Sequence, residues 1–436
     1  MRFRQRTLLW AGGLLGLLIL LLLVVRFLLP PSRKEGEAPH IAALDQEAED
    51  FFKRYWQRPI VPQGSPPPDF TEKEASLRPE ACGSCHAQQY ADWKNSLHSK
   101  AMGPGPWGQI VDFTRNSPAD AILCMTCHAP LSEQMPLMAK AADGDEPSYV
   151  NNPHFDPQLQ LNGITCAACH VRQHRRFGPP KSEEASAAKY PASMPNHAGV
   201  QRTPYFERAE FCKGCHQFDP ENSLLLNGKP LQDTYREWQN SIWGKGEASC
   251  QECHMPQRRH LWKGIHDPEW VRGGVRVEAQ IKKAPSRLGD PLELWVGITN
   301  AAVGHKFPTY TTPKVFVRAA LLDSRGKTLP GTEREKIIGW DARFEGGAWK
   351  EYFDTRIPPG EQFQETFRWT LPPEAKKIRA WVEVHPDHFY HVYFYPAFLK
   401  NQELTPQGRK LIEKALLDSG RTPYILFEKT MPLLEP

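Results

Sequence analysis

The sequence predicts a multidomain chain: an N-terminal transmembrane helix, a mainly α-helical and irregular cysteine-rich domain, and a C-terminal all-β antiparallel sandwich. Three observations predict it. Leu8 to Val25 runs for 18 residues without a polar side chain, and all ten cysteines fall between Cys82 and Cys253. From about residue 270, apolar side chains alternate with a period of two. Lys+Arg (54) and Asp+Glu (50) nearly cancel over 436 residues, and a net charge of +4 gives no case for nucleic acid as a partner.

The first element is the apolar run. Eighteen residues span roughly 27 Å as a helix, enough to cross a bilayer core. Arg2, Arg4 and Arg6 precede it, and Arg26 is followed by Phe27-Leu28-Leu29 and Pro30-Pro31. That continuation lacks the small-residue cleavage site of a removed signal, so residues 1–29 read as an uncleaved anchor. The leading arginines favour a cytoplasmic N-terminus, although Arg26, Arg33 and Lys34 weaken the asymmetry. The expected location is the inner (cytoplasmic) membrane, crossed once, with the bulk of the chain in the periplasm.

Residues 30–79 read as a spacer. Ile41, Leu44, Ala48, Phe51 and Tyr55 recur at helical spacing, and Pro59, Pro62, Pro66, Pro67, Pro68 and Pro79 then stiffen the chain into a stalk. Residues 80–268 carry all the cysteines, many turn residues and too few aliphatic side chains for an ordinary core.

Residues 269–400 hold the alternating strands. Val275 to Ile281, Leu292 to Ile298 and Ile378 to Val384 alternate clearly, and Pro313 to Leu322, Gln362 to Thr370 and Phe389 to Phe394 extend the set. Roughly seven strands separated by Gly and Pro predict an immunoglobulin-like sandwich. A helix at Gln407 to Leu417, stopped by Gly420, and an extended end fill residues 401–436.

The cysteines carry the chemistry. They form five motifs: Cys82-Gly-Ser-Cys85-His86, Cys124-Met-Thr-Cys127-His128, Cys166-Ala-Ala-Cys169-His170, Cys212-Lys-Gly-Cys215-His216 and Cys250-Gln-Glu-Cys253-His254. This is the attachment signal of c-type haem (heme c). Two thiols one helical turn apart can form thioethers to the two vinyl groups of one haem edge, and the adjacent His can swing beneath to ligate iron. Zinc ribbons bring two Cys pairs together over roughly 15 to 20 residues, whereas successive motifs here begin 42, 42, 46 and 38 residues apart. Disulfides need no His after each pair. With 16 His in the chain, five such placements arise by chance with a probability on the order of 10⁻⁷. Five covalent haems are therefore expected, and they would supply the apolar core that residues 80–268 lack.

Eleven histidines remain after the five proximal ones. A haem that only transfers electrons usually takes a second protein ligand. The candidates are His98, close after the first motif; His174, four residues after His170; His197, ahead of the fourth motif; and His260 and His266, after the fifth. His305, in Gly304-His-Lys-Phe-Pro-Thr309, could reach back from the sandwich and clamp the two domains. His385, His388 and His391 sit in an aromatic stretch and read as structural. Met102 and Met255 are weak axial alternatives.

At these residues the chain resembles the multihaem c-type cytochromes related to the tetrahaem carrier that accepts electrons from hydroxylamine oxidation. The similar stretches are Cys82-Gly-Ser-Cys-His with Tyr90, Trp93, Ser96 and His98; Cys127-His-Ala-Pro; Gly163-Ile-Thr-Cys-Ala-Ala-Cys-His170 with Gly178-Pro179; Phe211-Cys-Lys-Gly-Cys-His-Gln-Phe218; and Cys253-His-Met-Pro256 with His260 and Gly264. The Gly304 to Thr309 stretch is similar to a sandwich appended to some of these proteins. The anchor and motifs also resemble anchored quinol-dehydrogenase cytochromes, which are typically shorter, carry four haems and lack a sandwich. The resemblance implies periplasmic electron transfer.

The leading expectation is a redox carrier, with five low-spin haems passing electrons between a membrane donor and redox partner proteins. An enzyme with one open-coordination haem acting on a small nitrogen or sulfur compound is the alternative class, and quinol oxidation beside the membrane is a third. The sandwich could dock a partner, but fold alone does not establish that.

Overall fold

The computed structural model describes residues 38–140, 148–181, 199–218 and 225–433. The expected anchor lies outside them, and among the described residues no helix is long and apolar enough to cross a membrane. The chain divides into two compact units, Met1–Arg54 and Tyr55–Pro436. The first contains most of helix α1, Ala38–Tyr55, whose last turn carries Lys53 and Arg54, where cations complement the helix dipole.

In the second unit the proline-rich segment does not stand free as a stalk. Ile60 forms a parallel bridge to Leu131. The Gln63 amide donates to Glu133 Oε1 at 2.6 Å, and the Gly64 carbonyl bonds His174 Nε2 at 3.0 Å. Proline leaves fewer backbone donors but does not prevent a segment from lying along a surface that offers partners.

The cysteine region is built from short helices. The longer ones are α2 (Ala87–Asn95), α3 (Pro104–Asn116) and α4 (Pro118–His128). Prolines open α3 and α4, where a missing amide hydrogen costs nothing. Two small apolar clusters serve this region. One gathers Ile60, Leu131, Leu159, Ala167, Ala168 and Val171, and the other Met102, Ile110, Ala121, Met125, Ala129 and Met135.

The sandwich follows. Its strands are β1 (Val275–Lys283), β2 (Pro291–Asn300), β3 (Lys314–Leu322), β4 (Arg334–Glu345), β5 (Ala348–Asp354), β6 (Gln362–Thr370), β7 (Lys377–His385) and β8 (Tyr424–Pro432). One antiparallel sheet has the order β5-β4-β3-β7-β8 and the other β6-β2-β1. They share a core of Leu292, Leu294, Val296 and Ile298 against Val315, Val317, Leu321, Ile378, Val382 and Val384. This is the alternation visible in the sequence, one face of each strand turned inward.

Two elements differ from expectation. Phe389–Phe394 is a π-helical turn, not a strand. Its six residues include four aromatic rings packed on one another, among them Phe389–Tyr393 and Tyr390–Phe394 pairs 5.4 and 5.7 Å apart, so side-chain packing overrides β propensity. The extended end, set apart from the sandwich in the sequence reading, pairs with β7 as edge strand β8.

Between β7 and β8, helix α5 (Pro406–Ser419) crosses back to the cysteine region and packs on α3. Gly108 permits this approach, since a Cβ there would sit 2.9 Å from Ile412 Cδ1. Asp112 of α3 accepts from the Thr405 amide at 3.3 Å.

Candidate haem sites

Each motif is folded by a helical turn that sets its two thiols on one side and its His just beyond. The second motif closes α4, and the fourth ends the helix Glu210–His216. The third and fifth are single turns, Cys166–His170 and Cys250–His254. Thr165 caps the third by accepting from the Ala168 amide, and Ser249 forms a capping box with Glu252 on the fifth. His86 stands at the N-cap of α2. Capping matters here because a one-turn helix has no cooperative length of its own.

No disulfide joins any of the ten cysteines, and cysteines of different motifs are neighbours. Cys82 lies beside Cys166, Cys127 beside Cys215, and Cys212 beside Cys250. The motifs therefore neighbour one another as first with third, second with fourth, and fourth with fifth.

The histidine rings are oriented by their Nδ1 atoms. His128 Nδ1 bonds the Ala101 carbonyl at 2.8 Å, His170 Nδ1 that of Phe177 at 2.9 Å, and His254 Nδ1 that of Lys263 at 2.8 Å. His260 Nδ1 bonds Arg258 O at 3.1 Å and His305 Nδ1 bonds Lys306 O at 2.9 Å. A carbonyl partner puts the proton on Nδ1 and leaves Nε2 as the lone-pair donor, which is how metal-binding imidazoles are commonly held.

Burial favours the neutral form of His98, His170, His216, His254, His260 and His305. It pulls His98 down to about 3, with His216, His254 and His260 adding repulsion, and it pulls His170 and His216 down to about 4. Neutral imidazole is the ligating form.

Three ring pairs have a common separation. His98 and His216 have centroids 6.3 Å apart, His170 and His260 6.1 Å, and His254 and His305 6.4 Å. Two imidazoles trans across one metal ion, each with a metal–nitrogen bond of about 2.0 Å and about 1.1 Å more to the ring centre, stand roughly 6.2 Å apart. The residues thus fit six-coordinate haem iron at the third, fourth and fifth motifs.

The remaining positions differ. His86 lies within electrostatic reach of His170 and His260. Among the described residues, His128 has no second imidazole at a comparable distance. His174 uses Nε2 on the Gly64 carbonyl, and His266 uses Nε2 on the Asp387 carboxylate at 3.1 Å. The other ring nitrogen of each is enclosed by protein without a partner. His197 lies outside the described residues.

The backbone around His98 is fixed closely. Ile164 donates its amide to the His98 carbonyl at 3.0 Å, and Gly163, with φ of 65°, passes so near that a Cβ would lie 2.7 Å from that oxygen. Trp93 braces the same point by donating Nε1 to the Ile164 carbonyl at 2.7 Å.

His305 reaches the fifth motif from a sandwich loop, and a buried ion network fixes that loop. Arg356 bonds Glu237 at 2.9 Å and Asp354 at 2.8 Å, with side-chain exposures of 2%, 5% and 10%. Glu237 also accepts from the Lys306 amide at 3.2 Å. The sequence reading missed this network, as well as Asp92, whose carboxylate takes two bonds of 2.7 Å from Arg259 and one of 3.1 Å from the His260 amide. Neither carries a motif; both are partnerships over long sequence separations.

Known proteins match in two ways. The family model described as cytochrome c552 matches residues 67–268. A cytochrome c-552 of Aliarcobacter butzleri is 22% identical over 232 residues, covering 51% of this chain and 40% of its own. The cytochrome c nitrite reductase subunit NrfA of Nitratidesulfovibrio vulgaris is 22% identical over 225 residues, 44% of this chain and 38% of its own. The matched part thus spans about two fifths of those relatives. The crystal structure of a penta-heme cytochrome c552 from Thermochromatium tepidum shares the fold, with a TM-score of 0.55 and 18% identity over 82% of this chain and 98% of that one. All five Cys-x-x-Cys-His motifs fall within the matched residues, and the family match and shared fold together support a multihaem c-type cytochrome with covalently bound haem c.

Proposed function

We propose that the chain is a five-haem cytochrome, anchored in the inner membrane by Leu8–Val25 and otherwise periplasmic, that passes electrons between a membrane or periplasmic donor and redox partner proteins. The observation that carries this is the set of three imidazole pairs 6.1 to 6.4 Å apart. Haem c, when bound, supplies one-electron redox chemistry. The chain's own contribution is to hold the His128, His170, His254, His260 and His305 rings through their Nδ1 anchors, and to bring neighbouring motifs together so that the cofactors lie close to one another.

A second reading is favoured by His128. With no second imidazole beside it among the described residues, a haem at the second motif would be fitted to take a small nitrogen or sulfur compound. The protein would then be an oxidoreductase fed by the other haems. One relative carries the name nitrite reductase, and that name bears on this reading alone. Quinol is a further candidate donor next to the anchor.

Electron paramagnetic resonance of the oxidised full-length protein separates the readings. Five low-spin haems would establish a pure carrier, and a high-spin signal integrating to one haem in five would establish the open site. Reduction by a quinol analogue in membranes, lost on removing residues 1–30, tests the donor.

A further inference from the structure

One side chain touches imidazoles that belong to two different pairs. The Trp262 ring lies 4.5 Å from the His98 ring and 5.1 Å from the His260 ring, centroid to centroid, and meets both edge to face. His98 faces His216 of the fourth motif, and His260 faces His170 of the third. Trp262 therefore stands between the distal rings of two separate sites. The backbone puts it there at a cost. Trp262 has φ of 42°, and Gln257 and Arg258 in the same loop have φ of 54° and 60°. The left-handed region is costly for a bulky side chain, and such states persist only where the surroundings impose them. Here the fifth motif imposes it. The Trp262 amide donates to the His254 carbonyl at 2.9 Å, and His254 Nδ1 bonds the next carbonyl, that of Lys263, at 2.8 Å. The loop that carries His260 thus closes back on the fifth motif and brings the indole to His98.

Two features indicate what the indole does there. The His98 ring makes no hydrogen bond among the described residues, whereas His170, His254, His260 and His305 each have a carbonyl on Nδ1. An edge-to-face contact is what remains to orient His98. The pairs also differ in tilt. His98 and His216 are inclined by 50° and His170 and His260 by 36°, but His254 and His305, which have no ring contact with Trp262 among the described residues, lie within 9° of parallel. Two imidazoles on one iron need no tilt, as that last pair shows. In the third-motif pair, Phe206 stacks on the proximal His170 at 5.2 Å, so the two members are oriented by different aromatic neighbours.

We infer that Trp262 is a positioning residue shared by two haem sites, its indole setting the ring planes of His98 and His260 at once and so tying the electronic state of the haem at the fourth motif to that of the haem at the third. This rests on the reading in which both irons are six-coordinate. The angle between the two axial imidazole planes governs the spread of the g-values of a low-spin ferric haem, so a residue that sets the angle at two sites leaves a double signature.

The test is electron paramagnetic resonance of the full-length oxidised protein. Trp262→Leu keeps apolar bulk without a flat edge. It should move two low-spin signals together, toward the g-values of the near-parallel His254 and His305 site, which His305→Ala identifies by removing them. Trp262→Phe, which retains a ring, should shift the same two signals less. If Trp262→Leu loses haem, the phenylalanine variant decides alone. A shift of one signal, of none, or of all alike would overturn the inference while leaving the carrier reading standing. A wild-type spectrum with no low-spin signals would remove the six-coordinate reading itself, and the inference with it.

Discussion

His254 and His305 face each other with ring planes 9° apart and centroids separated by 6.4 Å, although one belongs to the cysteine region and the other to the sandwich. Near-parallel rings at that distance leave room for one metal ion and little else. His305→Ala should therefore turn one low-spin haem high-spin, seen by electron paramagnetic resonance, and leave the other low-spin signals in place. An unchanged spectrum would exclude His305 as a ligand.

Asp92 positions a ligand without touching iron. Its carboxylate is almost fully buried, and the hydrogen bond from Arg259 holds it below the usual carboxylate range. The same group grips the His260 amide. Asp92→Ala should shift the g-values and the reduction potential of one haem, and Asp92→Glu should restore them in part. Loss of stability with unchanged g-values would mark a merely structural role.

The ion network between α-helical region and sandwich should be costly to break. Removing one member of a buried pair leaves charge without a partner, at about 3–5 kcal/mol. Arg356→Ala takes the cation from Glu237, whose side chain is 5% exposed, while Asp354 keeps Lys229 and Lys306. The expected result is a fall in denaturation midpoint of that size, with the haem complement retained.

The same network gives a pH signature. Burial would raise Asp354, but Arg356 and Lys306 hold its carboxyl far below the ordinary range. A depressed acid stabilises the fold fully above its unfolded pKa of about 3.9, and that contribution is lost as pH falls toward the folded value. Asp354→Asn should flatten the acid limb of stability against pH below about 4. Glu237, raised by burial against the pull of Arg356, acts in the opposite sense, and its contribution fades as pH rises through its folded value.

Gly105 on α3 lies against the Tyr395 hydroxyl, where a Cβ would collide. Gly105→Ala should lower stability by about 1–3 kcal/mol through overpacking, despite the better helix propensity of alanine. A thermal melt that rises would show that the helices can move apart without loss.

Local patterns made part of this molecule legible. The five Cys-x-x-Cys-His motifs lie on consecutive residues, so the ligand-bearing turns are visible at once, and the alternation of Leu292, Leu294, Val296 and Ile298 gives β2 its inward face. Gln362–Thr370 forms as expected. Arg334–Glu345 and Ala348–Asp354 escaped notice because their polar and Gly-containing sequence follows sheet pairing, not simple alternation. Facing pairs such as His98 with His216 are invisible in a linear string, since nothing in either sequence neighbourhood names the other.

Helix α5 meets α3 across about two thirds of the 436-residue chain, with the Asp112 to Thr405 contact joining residues 293 positions apart. Contacts so distant in sequence form late, since loop closure delays them. The face of α3 that α5 covers, beside the helix α4 that ends in the second motif, thus stays open until the chain has emerged past Ser419. A bulky planar group can enter a half-built cleft far more easily than a closed one. The order of manufacture, with attachment turns first and their cover last, is written into the connectivity of the fold.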